Sequence, residues 1–149
     1  MRKFVFTLHA LLHVKELLEK QERHRMLELT RELNDLQDEK ARMEHSRDSA
    51  ARALSQKMGG GVTVTEAQQF AGYLRRMTDE LRSQDRRIAQ AQQKLEECRA
   101  RLVEVLKDIN MLQKVKEKQY QQYLADAQLE DDKLIGDFVS FQTTQRASQ

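Results

Sequence analysis

The stretch Met58-Gly59-Gly60-Gly61 decides the fold of this chain of 149 residues. Three adjacent glycines remove the side chains that support a helix, at about 1 kcal/mol each relative to alanine. They also admit positive φ at little steric cost. No proline occurs anywhere, and a long heptad-patterned segment runs up to the glycines and another runs away from them. The stretch is therefore read as the bend of a helical hairpin. The predicted fold is all-α, a long antiparallel two-helix coiled coil forming one elongated unit. Helix 1 is placed over about 4–57, the bend over 58–64 and helix 2 over 65–135. Gly136 is taken as a helix stop, with 136–149 as a flexible tail.

Working outward from the bend, the first seam runs Leu8, Leu11, Lys15, Leu18 and Glu22. It shifts by a stutter and continues through Met26, Leu29, Leu33, Leu36, Lys40, Met43, Arg47, Ala50 and Leu54. Steps of three and four keep one stripe facing a partner helix. The stutter predicts local unwinding, and the polar members predict an imperfect core. After the glycines, Thr63 with Glu66 and Thr65 with Gln68 fit a capping box equally well. The second seam is unbroken: Ala67, Phe70, Leu74, Met77, Leu81, Gln84, Ile88, Ala91, Leu95, Cys98, Leu102, Val105, Ile109, Leu112, Lys116, Gln119 and Tyr123. Folding about Gly60 pairs residues whose numbers add to about 122, so Leu8 meets the region of Val115 and Leu54 that of Phe70. Beyond about Tyr120 the second helix has no partner and overhangs. Phe138 and Phe141 either dock a partner or fold back.

Composition agrees with long helices and excludes several functions. A third of the residues are charged, the formal net charge is +2 and tryptophan is absent. The apolar residues suffice for a narrow seam rather than a thick core. Residues Arg75 to Lys118 carry twelve bases against eight acids, and Asp126 to Asp137 carries five acids against Lys133. Acidic neighbours dilute each basic cluster and no aromatic residues alternate with them, so nucleic acid is not an expected partner. Cys98 is the only cysteine, which precludes an intrachain disulfide, and on the seam it acts as a small hydrophobe. No segment reaches the roughly 20 apolar residues of a membrane span, and the opening Met1-Arg2-Lys3-Phe4-Val5-Phe6 lacks a fitting cleavage site. A cytoplasmic protein without membrane insertion is expected. His9 and His13 have a ligand spacing but no third ligand beyond Glu16. There is no phosphate loop, nucleophile elbow or paired His/Cys arrangement, so no catalytic residue, metal or cofactor is assigned and the chain is read as no enzyme.

The anomaly lies beside the bend. Phe70, Leu74, Met77 and Leu81 are large, whereas the first helix offers Ala50, Arg47 and Ser46 opposite them. Either Leu54 and Met43 lean over this stripe, or it remains partly exposed as a protein-docking surface. Tyr120 and Tyr123 form a second, weaker candidate surface.

The opening Phe4-Val5-Phe6-Thr7-Leu8-x-x-Leu11-Leu12, the glycine break after some fifty helical residues, Gln69-Phe70-x-x-Tyr73-Leu74 and the late Leu112-x-Lys114-x-Lys116-Glu117-Lys118-x-Tyr120 together resemble the flagellar FliJ family of type III export proteins. The resemblance covers about residues 3–133. It implies a hairpin similar to the central-stalk γ subunit of rotary ATPases, in the cytoplasm and peripheral to the inner membrane at the flagellar base. It implies a role in flagellum biogenesis, and through it in motility and chemotaxis. The implied partners are the hexameric export ATPase, whose ring assembly is promoted, the cytoplasmic domain of the large export-gate membrane protein, and export chaperones. The family's gate-binding surface carries over to Glu39, Met43, Ser46, Ala50, Phe70, Leu74, Met77 and Leu81, with Ser46 and Ala50 in place of larger aromatic side chains. The ATPase would grip the other end, at Phe4, Phe6, Leu8, Tyr120 and Tyr123. Leu134-Ile135-Gly136-Asp137-Phe138 departs from the family's highly charged C-terminus. Two alternatives accompany this reading: a structural homo-dimer of parallel, extended chains whose seam continues across the glycines, and the stalk counterpart of a virulence injectisome.

Overall fold

The computed structural model describes residues 2–148. Two helices account for most of them, α1 (His9–Gly59) and α2 (Val64–Ala147), packed against each other as a helical hairpin. The extended alternative, with a seam running on through the glycines, is not the fold. Gly60 to Thr63 are non-helical. The Gly60 N–H donates to the Lys57 carbonyl at 3.0 Å, and Gly61 takes φ +88°, a left-handed angle that side chains other than glycine's resist. Helix α2 is then capped by Thr63, whose Oγ1 accepts the Glu66 N–H at 3.2 Å. Of the two candidate capping threonines, Thr63 is the one used, and Thr65 lies inside the helix.

Two compact units divide the hairpin: Met1–Lys20 with Val103–Gln149, and Gln21–Leu102. In the first, Phe6, Leu12, Ile109 and Leu112 form a buried cluster against which Phe4 and Val105 pack. The predicted helix over residue 4 onward begins instead at His9. Residues 2–6 run as a non-helical strap along α2, with Phe4 half-buried, Val5 exposed and Phe6 buried. That alternation is the period of an extended chain, which turns both phenylalanines to one side. Because Phe6 fills the place expected for Leu8 and Leu11, those two leucines are exposed and Leu12 is buried instead. From Leu12 the covered positions on α1 run Lys15, Leu18 with Glu19, Glu22, Met26 and Leu29.

In the second unit Leu29, Leu95 and Cys98 are buried together, with Met26 and Leu33 packed on them. The register follows the predicted pairing within each unit, residue 15 meeting 108 in the first and residues 22 and 36 meeting 98 and 84 in the second. Every predicted α2 seam residue is buried or half-buried except Lys116, which is exposed.

Helix α2 extends further than expected. Gly136 does not stop it, because a single glycine costs about 1 kcal/mol and this one keeps a negative φ, with no proline following. The Thr143, Thr144 and Ser148 hydroxyls donate back to the carbonyls of Val139, Ser140 and Thr144. The segment expected as a flexible tail is thus helical to Ala147.

Candidate docking surfaces

Beside the bend, packing is thin. No residue from 30 to 80 is buried. Met43, Ala50 and Leu54 on α1 and Phe70, Leu74 and Met77 on α2 are each half-buried, and Ser46 is exposed. Ala50 and Ser46 are too short to cover the larger side chains across from them. Leu54 and Met43 supply only part of the cover. Lys57 Nζ lies 5.3 Å from the centre of the Phe70 ring, and a shallow groove lined by Lys57, Glu66, Gln69, Phe70 and Tyr73 runs alongside. Two of the eight sequence-assigned residues are used otherwise. Leu81 is only 5% exposed and belongs to the core. Glu39, although exposed, accepts a hydrogen bond from Gln84 Nε2 at 3.3 Å.

The second candidate surface lies within the first unit. Phe4 stands edge-on to Tyr120, with ring centroids 5.2 Å apart, and 5.5 Å from Tyr123. The Tyr123 hydroxyl donates to the Arg2 carbonyl at 2.6 Å. The strap therefore covers α2 as far as Ala127, which is buried, and the predicted overhang from about residue 120 starts after residue 127. Phe6 is core and unavailable to a partner. Leu8 and Tyr120 remain open, each 39% exposed.

Three of the four polar α1 seam residues are paired across the helices, whereas Arg47 lies 3.4 Å from Asp48 on its own helix. Lys15 binds Asp108 at 2.9 Å, and Lys40 binds Asp85 at 2.7 Å. Gln84, buried to 1% exposure, donates from Nε2 to the Leu36 carbonyl at 2.9 Å. Glu22 accepts the Cys98 thiol at 3.3 Å and Arg101 Nε at 3.2 Å. Such layers penalise slipped registers, because a shift would strand a buried polar group. The Asp85 hydrogen bond and charge, helped by Glu44, raise the Lys40 pKa above its ordinary 10.5 against the effect of burial. Burial, then the hydrogen bond and charge of Glu22, raise the Cys98 thiol above its ordinary 9.0, with Arg101 opposing. A neutral, enclosed thiol is a packing group, not a nucleophile.

His9 and His13 are exposed on α1, and no group of three metal-ligating side chains occurs among the described residues. No helix among those residues is long and apolar enough to cross a membrane.

The sequence matches the family described as Flagellar FliJ protein over residues 4–148. The chain belongs to the flagellar FliJ family. Membership makes it a component of the flagellar export apparatus, and the match runs through the α2 extension beyond residue 133. Neither curated proteins nor solved structures gave a match. Two features of this FliJ-family chain escaped sequence reasoning. One is the strap, signalled by Phe4-Val5-Phe6 alternation. The other is the helical continuation that carries Leu134, Ile135, Phe138 and Phe141, signalled by their three-and-four spacing.

Proposed function

We propose that this chain is a non-enzymatic stalk of the flagellar export apparatus, bridging the export ATPase ring and the membrane export gate on the cytoplasmic side. The observation that carries the reading is the thinly packed apolar stripe beside the bend, in a chain of this family. Phe70, Leu74 and Met77, with Met43 and Ala50 across from them, are half-buried and gain further burial when a partner covers them. Each large apolar side chain moved from water contributes about 1.5–3 kcal/mol when fully covered. We assign this stripe to the cytoplasmic domain of the gate protein. Leu8 and Tyr120, beside the strap, are assigned to the ATPase, with Phe4 and Tyr123 holding the strap in place. Promotion of ATPase ring assembly and escort of export chaperones belong to the same reading.

The test is calorimetric titration of the gate protein's cytoplasmic domain with the Phe70→Asp/Leu74→Asp double variant. Binding is expected to be lost, with helicity by circular dichroism nearly unchanged. Undiminished binding by a folded double variant removes the gate assignment.

A further inference from the structure

Beyond Ala127 nothing in the described chain packs on α2, and every residue from 128 to 148 is exposed. The helix nevertheless carries a large apolar face there. Leu134, Ile135, Phe138 and Phe141 are 60–68% exposed. Leu134, Phe138 and Phe141 continue, in steps of three and four, the covered face that ends at Tyr123 and Ala127. Asp131 and Gln145 sit on the same stripe at its two ends. Its order is therefore Asp131, Leu134, Phe138, Phe141, Gln145, and it is nearly symmetric about Phe138.

We propose that this extension pairs with the same extension of a second copy, antiparallel, about a two-fold axis through Phe138. In that arrangement Leu134 meets Phe141 of the second copy, Phe138 meets its own equivalent, and the Gln145 amide reaches Asp131. Each contact is made twice, as a two-fold interface requires. The charges select the orientation. Asp126, Glu130, Asp131, Asp132 and Asp137, with Lys133 the one base among them, all precede the axis, and Arg146 is the only charged residue between Phe138 and Ser148. Antiparallel pairing lays the acidic half of each copy beside the acid-free half of the other and brings Arg146 to Glu130. Parallel pairing lays acid against acid, which costs energy at close range. The same acids oppose an anionic bilayer as occupant. Covering the four apolar side chains in both copies buries on the order of 1,000 Å², the lower bound of a specific interface. The dimer is thus concentration-dependent. The inference does not rest on the export role.

Sedimentation velocity of the full chain, from about 1 to 500 µM, is expected to show conversion from monomer to dimer. Phe138→Asp, at a position with no core contacts, is expected to remain monomeric over that range with unchanged helicity. Arg146→Glu is expected to weaken dimerisation by about fivefold, and Glu130→Arg added to it to restore dimerisation. In a Cys98→Ala background, Phe138→Cys is expected to cross-link to itself. Asp131→Cys is expected to cross-link only when mixed with Gln145→Cys. Monomeric sedimentation of the unaltered chain throughout, with the apolar face left to some other protein, overturns the proposal. So does self-cross-linking of Asp131→Cys, which reports parallel chains.

Discussion

Around Leu29, the side chains of Leu95 and Cys98 close over one another until 0–5% of their surface is left. Around Phe70, in the same unit and between the same two helices, no side chain is fully enclosed. Both stretches keep the heptad spacing, so periodicity does not separate them. The sizes of the α1 side chains do. Met26, Leu29 and Leu33 fill the space opposite Leu95 and Cys98, whereas Ser46, Arg47 and Ala50 leave part of Phe70, Leu74 and Met77 uncovered. A coiled coil thus keeps its register where the layers are full and leaves surface for a partner where they are not.

The largest expected effect tests this contrast directly. Leu29→Ala opens a cavity in the full layers and is expected to cost about 3 kcal/mol. Leu74→Ala, in the open layers, removes a side chain already half in water and is expected to cost about 1 kcal/mol. Urea denaturation of the two variants measures both, and equal losses would erase the distinction.

The bend sharpens the comparison with a smaller effect. Gly61→Ala places a Cβ at φ +88° and is expected to destabilise by about 1 kcal/mol. Gly59→Ala, in helical backbone with open space around it, is expected to stabilise by about 0.5 kcal/mol. Melting temperatures moving in opposite directions for neighbouring glycines would show that Gly61 alone sets the turn.

The smallest effect belongs to the thiol in the full layers. Its folded pKa lies above its ordinary 9.0, so the stabilisation that it contributes is complete below pH 9 and is lost as pH rises from there. Lys40, also raised, adds a loss in the same direction above 10.5. Stability is expected to decline on the alkaline side, and Cys98→Ala to remove the part of that decline that begins near pH 9. Reaction of the native thiol with a disulfide reagent at neutral pH is expected to be slow compared with the unfolded chain. Fast native reaction would contradict closure of these layers.

The hairpin was legible because three glycines in a row break a helix whatever surrounds them, and the α2 seam because its spacing never falters. The under-filled stripe was legible from side-chain volumes once the two seams were set in register. The strap was not, since Phe4, Leu8 and Leu11 fit a helical stripe and the Phe4-Val5-Phe6 alternation is too short to overrule it. Only contact with Ile109, Leu112, Tyr120 and Tyr123 favours the extended form. Gly136 was misread because one glycine is too small a penalty to end a helix without a partner at that point.

Local chemistry therefore determined where the chain bends and which face of each helix is apolar, since both depend on residues within a few positions of one another. Tertiary contact decided where α1 begins and how the polar seam residues are matched. It also decided how completely each layer closes, because closure depends on the combined volume of side chains on opposite helices, well separated in sequence.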